Sequence, residues 1–184
     1  MFSEERVTHM AAYLLKKEGG RMSYLKLLKL LYLAERKAMA KWGESISGDH
    51  FVSMPHGPVL SQTYDLIQGT SEALSPWQKM IQDKDNYEVS LRHDIVIDDL
   101  DELSPSEIKI LEETFDEFGH MGRFQIRDYT HDNCPEWEDP KGSSYPIKPE
   151  NIFRAMGKSN GQITSLMGFH REQAQLDITK SLLA

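Results

Sequence analysis

The chain has 184 residues, of which 39 % are hydrophobic and 27 % are charged, and its formal net charge is −8. This length and composition exclude collagen-like and disordered classes and predict a single domain over residues 1–184 that can bury a core of its own. The excess of acidic residues disfavours general binding to a phosphate backbone. The sequence has no apolar run of about 18 residues, which argues against a membrane span. The single cysteine, Cys134, favours a reducing, cytoplasmic compartment.

Two helices are predicted near the start of the chain. Ser3 is the predicted N-cap of the first helix, and the glycines at residues 19–20 end it. Its apolar residues recur at helical spacing at Val7, Met10, Ala11, Leu14 and Leu15. The second helix, predicted from a cap at Ser23 to a stop at Gly43, is apolar around most of its circumference, which indicates a central helix packed on several sides.

After the second helix, the sequence predicts an extended segment and a turn. Residues 49–54 fit a short extended segment, and residues 55–58 predict a turn because they contain a glycine and a proline. Pro58 is expected to open a helix over residues 59–68. The turn is either a rigid corner that starts this helix or a preorganised surface loop that exposes His56 to a partner.

Further strands and helices are predicted in the second half of the chain. Residues 87–91 alternate like a strand and residues 95–97 form a β-branched run, so a small hairpin is expected between them. Ser104 and Glu107 form a capping box that starts a helix, and a shorter helix is predicted over residues 123–129.

The remaining segments complete the predicted fold. Residues 138–149 are rich in Pro, Gly and Ser and are expected to be loop, and Pro149 is expected to start a helix through Met156. The fold predicted from these elements is mainly α, a compact helical domain around a central apolar helix, with a small β-hairpin or short strands.

Common catalytic motifs are absent, including the phosphate-binding loop, the dinucleotide fingerprint, the nucleophile elbow and the zinc-protease helix. His131 and Cys134 are three residues apart and could share one helical face, where a thiol and an imidazole can make a thiolate nucleophile or bind zinc. A single pair lacks the second ligand pair of a structural zinc site, and the simpler interpretation is that His131 hydrogen-bonds a neighbouring turn. We therefore expect no metal, cofactor or catalytic residue.

Two further features have alternative interpretations. Trp77 and Trp137 each lie close to a proline, where an aromatic side chain either fills a small core or anchors an interface. Basic residues on the second helix could contact nucleic acid, but they are interpreted as the solvated edge of that helix. These residues are Lys26, Lys29, Arg36 and Lys37.

Three blocks of the sequence together resemble the Panacea domain, the family of antitoxin SocA-like proteins. The blocks are the apolar helix at residues 26–43, the segment at residues 51–67 and the segment at residues 126–137. Their order and spacing carry the resemblance, which covers residues 5–155 and leaves residues 156–184 as a C-terminal helical extension.

The resemblance implies an antitoxin of a bacterial or phage toxin–antitoxin pair, a non-enzymatic protein that neutralises a cognate toxin by direct binding. One mode that similar proteins use is to hand the toxin to a protease complex as an adaptor. The candidate partner-binding or motif residues are Met54, His56, Gly57, Pro58, Val59, Tyr64, Thr130, His131 and Trp137. The alternatives are a metal- or thiol-dependent enzyme that uses His131 and Cys134, and a DNA-binding autoregulator.

Overall fold

The computed structural model describes residues 1–70 and 72–183. The chain is mainly α-helical with two small three-stranded antiparallel sheets, which confirms the fold class predicted from the sequence. Within these residues, none of the helices has the length and apolar character needed to cross a membrane.

The two N-terminal helices form where the sequence predicts them. Helix α1 spans Glu4–Glu18, and the hydroxyl of Ser3 caps it by accepting a hydrogen bond from the amide of Arg6. A short strand that was not predicted, β1 at Arg21–Ser23, separates α1 from helix α2 at Tyr24–Trp42. Both helices end at glycines with positive φ, as expected.

Strands β2 and β3 form a tight hairpin after α2. Strand β2 spans Phe51–Met54 and strand β3 spans Gly57–Leu60. The prediction that Pro58 opens a helix is wrong, because Pro58 lies in β3 opposite Ser53. Strand β3 is at the edge of its sheet, where a proline without an amide hydrogen is tolerated.

Helix α3 follows at Ser61–Ile67 and receives its cap from a distant residue. The carboxylate of Asp49 accepts hydrogen bonds from the amides of Gln62 at 3.0 Å and Thr63 at 2.8 Å. The N-cap residue, Leu60, has no side-chain acceptor, so Asp49 supplies both the acceptor and the negative charge that the helix start favours.

The other sheet combines strands from distant parts of the sequence. Helix α4, at Pro76–Met80, is capped by Ser75 and leads directly into strand β4 at Ile81–Asp85. Strand β5 at Glu88–Leu91 lies between β4 and β1 and pairs with both. Strand β1 therefore joins the N-terminal helices to the middle of the chain.

The predicted hairpin between residues 87–91 and 95–97 is wrong. Strand β5 pairs with β4 instead, through a turn in which Asn86 and Tyr87 both have positive φ. The β-branched run does not pair, and a 3-10 turn occupies Ile97–Asp99.

Helices α5 and α6 begin where the sequence predicts. Helix α5 spans Pro105–Phe118 and starts with the expected capping box between Ser104 and Glu107. Helix α6 spans Arg123–Asn133 and continues past its predicted end, so His131 lies on the helix and not in the segment after it.

The C-terminal part adds one strand and two helices. Strand β6 at Tyr145–Pro146 pairs with β2 inside a segment that was predicted to be loop. Helix α7 at Pro149–Ala155 agrees with the prediction, and helix α8 at Asn160–Leu183 contacts it.

Helix α2 is the centre of the fold, as predicted. It packs against α1, α5, α6, α7 and strand β3. Its completely buried apolar residues include Leu27, Leu30, Leu31, Tyr32 and Ala34. Because burial of one leucine side chain contributes roughly 2 kcal/mol, this helix supplies a large part of the core stabilisation.

Candidate functional site

A buried lysine connects α2 to the β2–β3 hairpin. Lys29 is completely buried, and its Nζ donates a hydrogen bond to the carbonyl oxygen of Pro58 at 2.8 Å. Desolvation lowers the pKa of Lys29 to about 7; the nearby Arg127 acts in the same direction and Cys134 in the opposite one. The contact fixes the edge strand of the hairpin against the central helix.

Gly57 provides the space for this contact. Its φ is +94°, and a Cβ atom at this position would lie 2.9 Å from Nζ of Lys29 and 3.0 Å from Nε2 of His131. A side chain would therefore be strained in its backbone, would push Nζ of Lys29 away and would crowd the ring of His131. Glycine is required here for conformation and for close approach.

The segment after α6 holds the other strand of the hairpin. Nε1 of Trp137 donates a hydrogen bond to the carbonyl oxygen of Met54 at 3.0 Å. The indole ring stacks on His131, with ring centroids 4.2 Å apart and ring planes within 4° of parallel. The hairpin is thus held from α2 on one strand and from the segment after α6 on the other.

Glu136 ties the same segment back to α2. Its side chain is completely buried, and Oε1 accepts hydrogen bonds from the hydroxyl of Tyr32 at 2.7 Å and from Nε of Arg36 at 2.5 Å. Nη2 of Arg36 donates to Oε2 at 3.2 Å, which makes the pair bidentate. We call the set of Lys29, His131, Glu136 and Trp137 the hairpin clamp.

The sequence model of one family matches residues 27–138, and that family is described as "Antitoxin SocA-like, Panacea domain". The chain belongs to this family. The matched range contains all four residues of the hairpin clamp and the whole β2–β3 hairpin, so the contacts described above lie within the Panacea domain. Comparison with curated proteins and with solved structures gives no match.

The predicted motif residues of the Panacea domain lie at different depths. His56 is exposed at the tip of the hairpin. The partly buried ones are Met54, Tyr64, His131 and Trp137, and the buried ones are Gly57, Pro58, Val59 and Thr130.

The structure brings most, but not all, of these residues together. The residues that meet at the hairpin clamp are Met54, Gly57, Pro58, His131 and Trp137. Val59 pairs with Val52 in the sheet, and Thr130 donates a hydrogen bond to the carbonyl of Arg127 within α6 at 2.8 Å. Tyr64 lies on α3, outside the clamp. The burial and local contacts of Val59 and Thr130 indicate a structural role.

The basic residues of α2 are not the solvated edge that the sequence predicts. Lys26 is 7 % exposed and Lys29 is 0 % exposed. Each basic residue finds an acceptor on another element, which accounts for the burial. The partners are Glu18 and the carbonyl of Gly119 for Lys26, the carbonyl of Pro58 for Lys29, Glu136 for Arg36 and Glu117 for Lys37.

Sequence reasoning also missed Glu136 and Asp49 as structural acceptors. One feature of the sequence could have indicated that Lys29 is buried. Lys29 lies between Leu28 and Leu30 in a helix that is apolar on nearly all sides, where a lysine is unlike its surroundings. No feature of the local sequence indicates that Glu136 and Asp49 are acceptors, because their donors belong to elements distant in sequence.

The two tryptophans with open interpretations have different environments. Trp77 is completely buried and belongs to the core of the domain. Trp137 is partly exposed and makes the stack and the hydrogen bond of the clamp.

The environments of Cys134 and His131 do not favour a thiolate activated by an imidazole. Cys134 is buried, and desolvation raises the pKa of its thiol to about 12. The pKa of His131 is lowered, first by desolvation and then by the charges of Lys29 and Arg127. The backbone of His56 opposes this shift, but Nε2 of His131 forms no hydrogen bond of good geometry within the described residues. His131 therefore interacts with the backbone of the turn at residues 55–58, and its ring stacks on Trp137.

Proposed function

We propose that this Panacea-domain chain is an antitoxin that neutralises a cognate toxin by direct protein–protein contact in the cytoplasm of a bacterial host. The observation that carries the proposal is the family match over residues 27–138, since an antitoxin family implies a protein partner. The hairpin clamp supports it, because a hairpin that is held on both strands presents His56 on a preorganised surface. A preorganised surface loses little conformational entropy on binding.

The thiol-dependent alternative has weak support. At neutral pH a thiol with its pKa raised to about 12 is almost entirely protonated, and the thiolate is the nucleophilic form. Among the described residues, no three His, Cys, Asp or Glu side chains come together in an arrangement that could hold a metal ion. We therefore propose a binding function without catalysis.

The DNA-binding alternative also lacks a suitable surface on α2. Lys26 and Lys29 are buried, and Arg36 and Lys37 are engaged by carboxylates. A buried cation cannot reach a phosphate, and the charge of a cation that is paired with a carboxylate is already balanced. A nucleic-acid role would have to use a different surface.

Co-expression with the product of the adjacent reading frame tests the proposed function. Expression of that product alone should arrest bacterial growth, and expression of both should restore it. The Cys134→Ala variant should restore growth as well as the wild type, because direct binding does not need the thiol. Arrest that persists with the wild-type chain would reject the proposal, and rescue that is lost only in Cys134→Ala would favour the thiol enzyme.

The same strain distinguishes the two modes of neutralisation. If the chain acts as an adaptor for a protease complex, co-expression should shorten the half-life of the toxin. If it inhibits by contact alone, the toxin should stay at full length and at constant level while growth is restored.

A further inference from the structure

A groove of about 400 Å³ lies beside the exposed tip of the hairpin. Its walls include the start of α6, with Arg123, Phe124 and Arg127, and the turn between β4 and β5, with Tyr87. His56 of the hairpin also lines it. The groove therefore borders the residue that the hairpin clamp presents to solvent.

The charge of the groove is opposite to that of the chain. The chain has a net charge of −8, yet the groove is lined by two arginines and by no acidic residue. Arg127 is paired with Asp128 at 2.6 Å. For Arg123, no carboxylate from the described part of the chain lies within ion-pair distance, so its guanidinium is available to an external carboxylate.

Exposed aromatic side chains accompany these cations. Phe124 is 53 % exposed, and the guanidinium carbons of Arg123 and Arg127 lie 4.8 Å and 5.1 Å from its ring centroid. Tyr87 is 66 % exposed at φ +66° and stacks on Tyr24 with centroids 6.4 Å apart. The left-handed conformation of Tyr87 belongs to the two-residue turn between β4 and β5, which needs positive φ at both Asn86 and Tyr87.

We propose that this groove binds a segment of the toxin in which a carboxylate side chain is next to an aromatic or long apolar side chain. The inference rests on the proposed function, because it assigns a surface and a recognition chemistry to that interaction. Arg123 would bind the carboxylate in a bidentate manner, and Phe124 and Tyr87 would pack against the apolar neighbour. Arginine and aromatic residues are the side chains that most often dominate binding energy at interfaces.

A single-stranded nucleic acid would use similar groups, with bases on the aromatic rings and phosphates on the arginines. The net charge of −8 works against that ligand, since phosphate binding depends on a favourable electrostatic field. A segment that presents one carboxylate beside an apolar side chain carries less negative charge than a run of phosphates, and it therefore fits the observations better.

Titration of purified variants with the purified product of the adjacent reading frame tests this assignment. Arg123→Glu and Phe124→Ala should each weaken binding by about ten-fold or more, with unchanged thermal unfolding, because both side chains are exposed. Lys109→Glu is the matched control: it makes the same charge change at an exposed position of α5, outside the groove. The control should bind within about two-fold of the wild type.

A charge swap tests the carboxylate directly. When each surface Asp and Glu of the partner is changed to Arg in turn, at least one variant should regain binding to the Arg123→Glu chain. If no partner variant does so, the proposed recognition of a carboxylate is overturned.

The remaining outcomes separate the two proposals. If the wild type binds and both groove variants bind equally well, the groove assignment is wrong while the proposed function stands. If the wild type itself does not bind, the proposed function fails and the groove assignment fails with it. If Arg123→Glu abolishes binding to a single-stranded oligonucleotide and leaves the protein complex unchanged, the groove is a nucleic-acid site and the inference is overturned.

Discussion

The Nζ atom of Lys29 donates a hydrogen bond to the carbonyl oxygen of Pro58 inside the protein, at 2.8 Å and with no exposure of the lysine side chain. The contact joins the central helix to the hairpin that carries His56. A lysine in this position carries an energetic cost, because burial disfavours the charged form. That cost makes the contact measurable through the pH dependence of stability.

Lys29→Met should stabilise the chain near neutral pH. The pKa of Lys29 is about 7 in the folded protein against 10.5 for the free side chain, so between these values the unfolded chain binds more protons and stability rises with pH. Since one pKa unit corresponds to about 1.4 kcal/mol, the wild type should gain about 2 kcal/mol between pH 7 and pH 9. The variant should lack this gain and exceed the wild type by about 2–3 kcal/mol at pH 6, after subtraction of the lost hydrogen bond.

Urea unfolding at pH 6, 7, 8 and 9 provides this comparison. The measurement stops at pH 9 because the thiol of Cys134, whose pKa is raised to about 12, lowers stability above its unfolded pKa of about 9. Parallel pH profiles for the wild type and Lys29→Met would show that Lys29 is protonated in both states.

Gly57→Ala should be more destabilising than an alanine at another left-handed glycine. Gly69 has φ +88° and no heavy atom within 4 Å of the point where a Cβ would lie, so Gly69→Ala carries only the backbone strain, about 1 kcal/mol. Gly57→Ala adds contacts of 2.9 Å and 3.0 Å with Lys29 and His131, and its total cost should be about 2–4 kcal/mol. Equal losses in thermal unfolding would mean that the close approach at Gly57 contributes nothing.

Glu136→Ala should cost about 3 kcal/mol in the free energy of unfolding, because it leaves Arg36 and Tyr32 without their buried acceptor. The control is Glu112→Ala, which removes an exposed pair with Lys17 at 3.4 Å and should cost less than about 0.5 kcal/mol. Similar denaturation midpoints for the two variants would contradict the role assigned to Glu136.

Trp137→Phe should loosen the hairpin while leaving the core in place. The phenyl ring keeps part of the stack with His131 but loses the hydrogen bond to Met54, at a cost of about 1 kcal/mol. Hydrogen exchange should become faster over residues 51–60 and stay unchanged in α1. Trp42→Phe, at an exposed position, serves as the control and should change neither region. Unchanged exchange at the hairpin in Trp137→Phe would show that Trp137 does not hold it.

The periodicity of the sequence was sufficient to predict the main helices, but it was not sufficient to predict the contacts of the hairpin clamp. The broad apolar surface of α2 correctly predicts a central helix, and the capping box at Ser104 correctly predicts the start of α5. The same periodicity predicts Lys29 to be exposed, because a pattern of residue types contains no information about the Pro58 carbonyl that a distant strand supplies.

The hairpin itself was missed for a related reason. Pro58 suits both the first turn of a helix and an edge strand. The choice between them is made by non-local contacts, since β2 and β6 build the sheet and Asp49 caps the helix three residues further on. The stack of His131 on Trp137 depends on the extension of α6 beyond its predicted end, which brings His131 onto the helix.

The most direct test of the central claim is isothermal titration calorimetry of the purified chain with the purified product of the adjacent reading frame, followed by intact-mass measurement of that product. We predict a saturable complex of fixed stoichiometry, in which the mass of the toxin is unchanged and its inhibition requires stoichiometric amounts of the chain. Absence of binding, or inactivation of the toxin by trace amounts of the chain with a covalent change in mass, would contradict the account.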